Sequence, residues 1–173
     1  MSFPRLLELE AEQTQEERQA ELENMEFQVL RMRENIKEIS KKYDIVGIDQ
    51  TKQDNWVIVF KDADDEKGQL MVNDCAGPFK GHWDSCMQLE FKDEQTVHIA
   101  DIKGPEDQGY GSILMNYLKD LVKEFNYQYI TGDLVERDWD HLNRLTYFYE
   151  KHNFNVNVDP NQQKGEIIWH GDL

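Results

Sequence analysis

Apolar residues in the first quarter of the chain recur at alternating steps of three and four: Leu22, Met25, Val29, Met32, Ile36, Ile39 and Tyr43. This spacing predicts a helix with an a/d seam. Residues 5–42 contain no glycine or proline and are rich in Glu, Gln, Arg, Leu and Met, all strong helix formers. Glu10, Glu12, Glu16 and Glu17 stand towards the start and Lys37, Lys41 and Lys42 towards the end, as the helix dipole favours. A helix over 12–42 spans roughly 45 Å, too long to lie wholly on a small domain. The seam either packs on the sheet of its own chain or pairs with a second chain. A helix lying on its own sheet usually carries a wider apolar stripe. Self-association, a homodimer, is therefore favoured, with the last turns also touching the domain. Residues 1–42 read as a helical arm and 43–173 as a folded domain.

From Tyr43 the period changes to two. Strands are predicted at 44–49, 55–61, 69–73, 87–92 and 96–103, joined mostly by short polar turns. They form an antiparallel meander. Then the class shifts to helix 112–125, strand 127–134, helix 138–152 and a last strand pair around 154–158 and 165–170. Strands first, then alternating strands and helices, is an α+β layout.

Between strand 96–103 and the following helix lies Glu106-Asp107-Gln108-Gly109-Tyr110-Gly111-Ser112. Glycine lets backbone approach a ligand closely. The first N–H groups of a helix lack internal partners, and the dipole is positive there. Such a turn can cradle a phosphate; equally, it can be a plain tight turn. One strand and one helix downstream stands Leu145-Thr146-Tyr147-Phe148-Tyr149-Glu150-Lys151-His152-Asn153-Phe154. Together the two stretches resemble the GNAT family of acyl-CoA-dependent N-acetyltransferases. Its phosphate loop reads Gln/Arg-x-x-Gly-x-Gly/Ala, and its last helix often ends in a Tyr-Glu-Lys-x-Gly-Phe-like sequence. The resemblance covers roughly residues 86–170. It implies a mixed, mainly antiparallel central sheet flanked by helices, here with a long N-terminal helix added.

The resemblance also implies a function: transfer of acetyl from acetyl-CoA to an amine, with acetyl-CoA as co-substrate and no metal. The diphosphate would rest on the backbone of Gln108, Gly109, Tyr110, Gly111 and Ser112. The strand ending at Ile102 would pair with the pantetheine arm. Asn143 lies one residue from a position where many relatives carry a CoA-contacting Asn, and His141 is a neighbouring candidate. Tyr149 matches the tyrosine that often serves as general acid to the CoA thiolate. By spacing alone Tyr149 is equally a core residue. His98, Glu90 and Asp101 are candidates for the general base. Strict alternation groups His98 with Ala100 and Ile102, and Val97 with Ile99 and Asp101.

Two features depart from the family pattern. Glu106 replaces the usual Gln or Arg, placing a carboxylate near the expected diphosphate unless it turns outward. The first two strands are joined by a short turn where the family places the helices that wall the acceptor site. That wall must come from the N-terminal helix, a partner subunit or the loop 75–85. Both features also fit a different function: a non-catalytic, coiled-coil interaction protein with a degenerate domain.

Composition narrows the partners. The formal net charge is −16 over 173 residues. This argues against nucleic acid, whose phosphates need a basic stripe, and suits a small-molecule or peptide amine of positive charge. Lys103, Lys119, Lys123 and Arg144 are candidate phosphate contacts as well as ordinary surface charges. No apolar run reaches the length of a membrane span, and Met1-Ser2-Phe3-Pro4-Arg5 does not begin a signal peptide. Cys75 and Cys86 fit a reducing cytoplasm. With His82 they lack the tight pairing of a structural zinc site.

Overall fold

The computed structural model describes residues 14–171. The expectations placed on residues 1–13, including Glu10, Glu12 and the Met1–Arg5 stretch, lie outside them.

Helix α1, Gln15–Ile39, starts at a reciprocal cap. The Glu17 N–H donates to Thr14 Oγ1 at 3.2 Å, and the Thr14 N–H donates to the Glu17 carboxylate at 2.9 Å. Such a box satisfies two otherwise orphaned backbone donors, so the helix begins after Thr14 rather than at 12. Ser40 caps the other end, three residues short of Tyr43. The seam divides. Ile39 is fully buried and Met32 and Ile36 pack beside it on Ile58, Phe60 and Met71, whereas Leu22, Met25 and Val29 are 56%, 54% and 58% exposed. The last turns therefore belong to the core of the domain, and the first turns project from it.

Eight strands follow: β1 Asp44–Gln50, β2 Trp56–Ala63, β3 Lys67–Asp74, β4 Ser85–Phe91, β5 Thr96–Lys103, β6 Tyr129–Leu134, β7 Asn155–Asp159 and β8 Lys164–His170. They form one sheet in the order β1-β2-β3-β4-β5-β6-β8-β7. Every pairing is antiparallel except β5 with β6. Helix α2, Tyr110–Glu124, makes the crossover that this parallel pair requires. A 3₁₀ turn, Glu136–His141, leads into α3, Leu142–Lys151. This is the mixed, mainly antiparallel sheet flanked by helices that the sequence implied.

The sheet is covered on both faces at its centre. Val57 and Val59 face α2, while Ile58 and Phe60 face α1, which is why β2 reads as a continuous apolar run. Gly47, on β1, permits close packing: a Cβ there would lie 2.6 Å from the Tyr117 hydroxyl of α2. Strand β1 meets β2 across a five-residue turn, residues 51–55. No helix wall stands between them.

Two expectations need correction. The helix 138–152 is a 3₁₀ turn followed by a shorter α-helix. Asp138 accepts the Val135 N–H at 2.8 Å, and its own N–H returns to the Val135 carbonyl at 2.8 Å. That local closure competes with α-helical pairing. The alternation along β5 also breaks. Asp101 pairs with Gln88 but Ile99 pairs with Leu89, leaving Ala100 as a bulge. One inserted residue shifts the side-chain phase. Ile102 consequently packs with Val97 and Ile99 rather than sharing a face with His98.

Candidate active site

Strands β5 and β6 part company midway. Their parallel pairing runs from Thr96–Tyr129 to Ile99–Gly132 and stops. Strand β5 continues to Lys103 on its β4 side, and β6 continues to Leu134 on its β8 side. Between the diverging ends opens a cleft of about 430 Å³. One wall is the end of β5, the loop 104–109 and the start of α2. The other is the end of β6, the 3₁₀ turn and α3.

The start of α2 forms part of the first wall. Gly109 is its N-terminal cap residue at φ 79°, and no side chain caps the helix. That φ is open to glycine at little cost and to other residues only with strain. A Cβ on Gly109 would meet no atom within 4 Å, so the floor there is bare backbone. Beside it, a Cβ on Gly111 would touch the Phe148 ring at 3.4 Å, which sets how closely α2 and α3 approach.

The Tyr110 side chain turns away and anchors this loop. Its hydroxyl donates to Asp74 Oδ2 at 2.6 Å, and the Asp74 N–H donates to Asp84 Oδ2 at 2.7 Å. Burial first, and then the Asp74 hydrogen bond, push the Tyr110 ionisation up. Ser112 is held from the other side, with its Oγ 3.1 Å from His152 Nε2. Burial, with Lys119 and Lys151 nearby, brings the His152 pKa down to about 4, so the imidazole is neutral at pH 7. Lys119 is turned into this packing: its ammonium donates to the His152 carbonyl and lies over the Phe154 and Trp169 rings. It does not line the cleft, and neither does Lys123.

Four cations do line it, Lys103, Arg137, Arg144 and Lys151, beside five carboxylates, Asp101, Glu106, Asp107, Asp133 and Asp138. Two ion pairs cross from wall to wall. Glu106 pairs with Arg144, and Asp101 with Arg137 at 3.7 Å. The Glu106 carboxylate is thus directed to α3. The Asp101 Oδ1 also accepts the Ile102 N–H at 2.9 Å.

Tyr149 lines the cleft from α3 and is 7% exposed. Its ring packs on Phe148 and Phe154, with centroids 5.2 and 5.4 Å away. No side chain among the described residues hydrogen-bonds its hydroxyl. Burial, with the Asp138 and Asp101 charges behind it, raises its ionisation. Tyr149 is therefore at once a core ring and a cleft residue.

The other named residues are divided between the cleft and its surroundings. Ile102, Gly109, Tyr110, Gly111 and Ser112 line the cleft; Gln108 is half-buried outside the lining, and Asn143 and His141 are exposed and also outside it. His98 and Glu90 face each other across β5 and β4, away from the cleft. Glu90 is paired with Lys92 at 2.7 Å, which holds its carboxyl below the usual range. His98 Nδ1 lies 2.8 Å from Thr131 Oγ1, and its Nε2 lies 3.4 Å from Asp133 Oδ2. Asp133 itself lines the cleft.

Asp133 and Arg137 were not singled out from the sequence. Their signal was positional: they end β6 and open the turn after it, at the carboxyl end of a parallel strand, where ligands gather in open sheets. Among the described residues no group of three or more His, Cys, Asp or Glu side chains is gathered for a metal. Burial pushes the Cys75 and Cys86 thiols up to about 11, which leaves neither a thiolate at pH 7.

No protein-family model matches the chain. It is 43% identical over 158 residues to the uncharacterized protein YocC of Bacillus subtilis, covering 91% of this chain and 95% of that one. The chain belongs to the same family as YocC. Among solved structures, a GNAT family acetyltransferase from Elizabethkingia anophelis with acetyl-CoA bound superposes with a TM-score of 0.47 and 15% identity, over 61% of this chain and 77% of that one. The GNAT domain of S. lividans PAT gives 0.49 and 6%, over 63% and 64%. Campylobacter jejuni N-acetyltransferase PseH in complex with acetyl coenzyme A gives 0.46 and 13%, over 63% and 71%.

Proposed function

We propose that the protein is an N-acetyltransferase that moves an acetyl group from acetyl-CoA to a primary amine. The observation that carries this reading is the cleft itself. It lies at the splay of the parallel pair, its helix start is uncapped and bare, and Arg144 stands across from that helix start among a lining of four cations and five carboxylates. An uncapped helix start leaves backbone N–H groups and the positive end of the helix dipole to meet an anion, with Arg144 beside it. A diphosphate fits that chemistry.

Each residue then has a task. The N–H groups of Gly109–Ser112 and the Arg144 guanidinium hold the diphosphate. The β6-facing edge of β5, left without a strand partner from Ala100 onward, accepts the pantetheine arm. Backbone at the Ala100 bulge supports the developing oxyanion, where preorganised donors contribute most to such reactions. Tyr149 donates to the departing thiolate. Asp101, Asp133 and Asp138, which line the cleft, suit a positively charged amine, and His98 takes up its proton through Asp133.

A thermal melt and a free-thiol assay test the reading. Acetyl-CoA at a hundred times its Kd should add about 2.7 kcal/mol of stability, a rise of roughly 5–10 °C for a chain of this size. A panel of cationic amines should release free CoA thiol. No shift at millimolar acetyl-CoA, together with no thiol release, would leave the interaction-protein reading in its place.

We further propose that the chain is a cytoplasmic homodimer joined through the front half of α1, whose exposed Leu22, Met25 and Val29 continue the seam beyond its own domain. Replacing all three by Glu should convert a dimer to a monomer in sedimentation equilibrium with little change in melting temperature. A wild-type protein that already sediments at 20.6 kDa rules the dimer out. No helix among the described residues is long and apolar enough to cross a membrane.

A further inference from the structure

The Glu106–Arg144 pair spans the cleft where the proposed diphosphate would lie, and its role as inferred below rests on the acetyl-CoA reading above. Glu106 comes from the loop between Gly104 and Gly109, and Arg144 from the first turn of α3. Both side chains are open to solvent, at 58% and 46% of their full exposure. A second pair, Asp101 with Arg137, crosses the same cleft. In both pairs the carboxylate belongs to the β5 wall and the guanidinium to the α3 wall. The two guanidiniums are thus each met by a carboxylate from the opposite wall, and Arg144 is paired there with Glu106.

We infer that Glu106 is a stand-in anion, a latch that occupies Arg144 until a diphosphate displaces it. An exposed ion pair of this kind contributes little, because water screens it and both side chains lose freedom in making it. A diphosphate offers more negative charge and a fork of oxygens that matches a guanidinium in two parallel hydrogen bonds. The exchange therefore runs towards the ligand, at the cost of releasing the carboxylate. Glu106 cannot remain beside a bound diphosphate, since the two anions repel. Arg144 thus supplies the cation that the loop itself lacks, and Glu106 lowers affinity while keeping the guanidinium aimed across the cleft. Ligands without a diphosphate leave the latch shut.

Acetyl-CoA affinity measured by calorimetry on wild type, Glu106→Gln, Arg144→Gln and the double variant tests this. Glu106→Gln should bind about fivefold tighter, the worth of one surface ion pair released. Arg144→Gln should bind about tenfold weaker, as loss of a charged hydrogen-bond donor predicts. The double variant should match Arg144→Gln within about twofold, since the latch has nothing left to hold. Acetyl-pantetheine, which has no diphosphate, should serve wild type and Glu106→Gln equally as donor. Wild-type binding with no gain in Glu106→Gln overturns the latch alone. A gain that persists without Arg144 overturns it too, because Glu106 would then act by simple repulsion. Binding by Glu106→Gln but not by wild type supports a latch that is firmly shut. Binding by none of the four overturns the acetyl-CoA reading and the latch together.

Discussion

Tyr149→Phe is expected to slow turnover about a hundredfold while leaving acetyl-CoA affinity within about twofold of wild type, the lower end of what a positioned proton donor contributes. The hydroxyl is raised in its ionisation by burial and by the Asp138 and Asp101 charges. It is therefore protonated at every working pH. An acid so reluctant to ionise gives up its proton uphill to a thiolate whose ordinary pKa is about 8.5, so most of its effect is a donated hydrogen bond. The alkaline limb of the rate profile should accordingly contain no ionisation from Tyr149, and the variant should lower the plateau without moving either limb. Stability is the control. The ring contacts with Phe148 and Phe154 survive the change, so stability should change by less than about 1 kcal/mol, roughly 2–4 °C in melting temperature for a chain of this size. A variant that unfolds, or one that turns over at the wild-type rate, would reduce Tyr149 to packing.

The sequence carried the order and kind of nearly every element, because each has a strong local signal. β2 is apolar on consecutive residues, α2 carries Ile113, Leu114 and Leu118 at helical spacing, and the Asp93 side chain accepts the Gln95 N–H at 2.7 Å in the turn between β4 and β5. What was not legible depends on events between elements. The Ala100 bulge arises from how β5 meets β4, and no composition marks it, yet it moves Ile102 to the other face. The heptad seam could not reveal that its own sheet covers Met32, Ile36 and Ile39 and leaves Leu22, Met25 and Val29 bare. The lining of the cleft was half visible. Gly109 and Gly111 announce themselves by type and spacing, and Tyr149 by its place in a motif. Arg137 and Asp133 look like any other surface charges until β5 and β6 are seen to diverge beside them. Glu106 stood out as an anomaly on its own, and only the approach of α3 shows which cation it meets.

Asn35 carries no signal of its place in the sequence, because a polar residue in a charged helix looks exposed. It is 2% exposed and makes three hydrogen bonds. Its Nδ2 donates to Asn73 Oδ1 at 3.0 Å and to the Gly77 carbonyl at 2.9 Å, and its Oδ1 accepts the Phe79 N–H at 2.9 Å. It thereby ties α1 both to the end of β3 and to the loop 75–85, whose Phe79 packs on Phe60. The chain of polar contacts continues: Asn73 Nδ2 reaches Asp84 Oδ2 at 3.5 Å, Asp84 holds the Asp74 N–H, and Asp74 accepts the Tyr110 hydroxyl. One helix on the far face of the sheet is linked in this way to the backbone that floors the cleft. Asn35→Leu keeps the volume but strands three polar groups, each worth about 1–3 kcal/mol when buried unpaired. A loss of about 3–5 kcal/mol is expected, seen as a fall of roughly 10 °C in melting temperature. The same variant, assayed well below its transition, should bind acetyl-CoA more weakly, because Tyr110 would be less firmly held. A fall of under about 3 °C, which is about 1 kcal/mol here, would mean that Ile36 and Ile39 dock the helix by themselves. Wild-type affinity in a destabilised variant would show that the network stabilises the loop 75–85 and ends there.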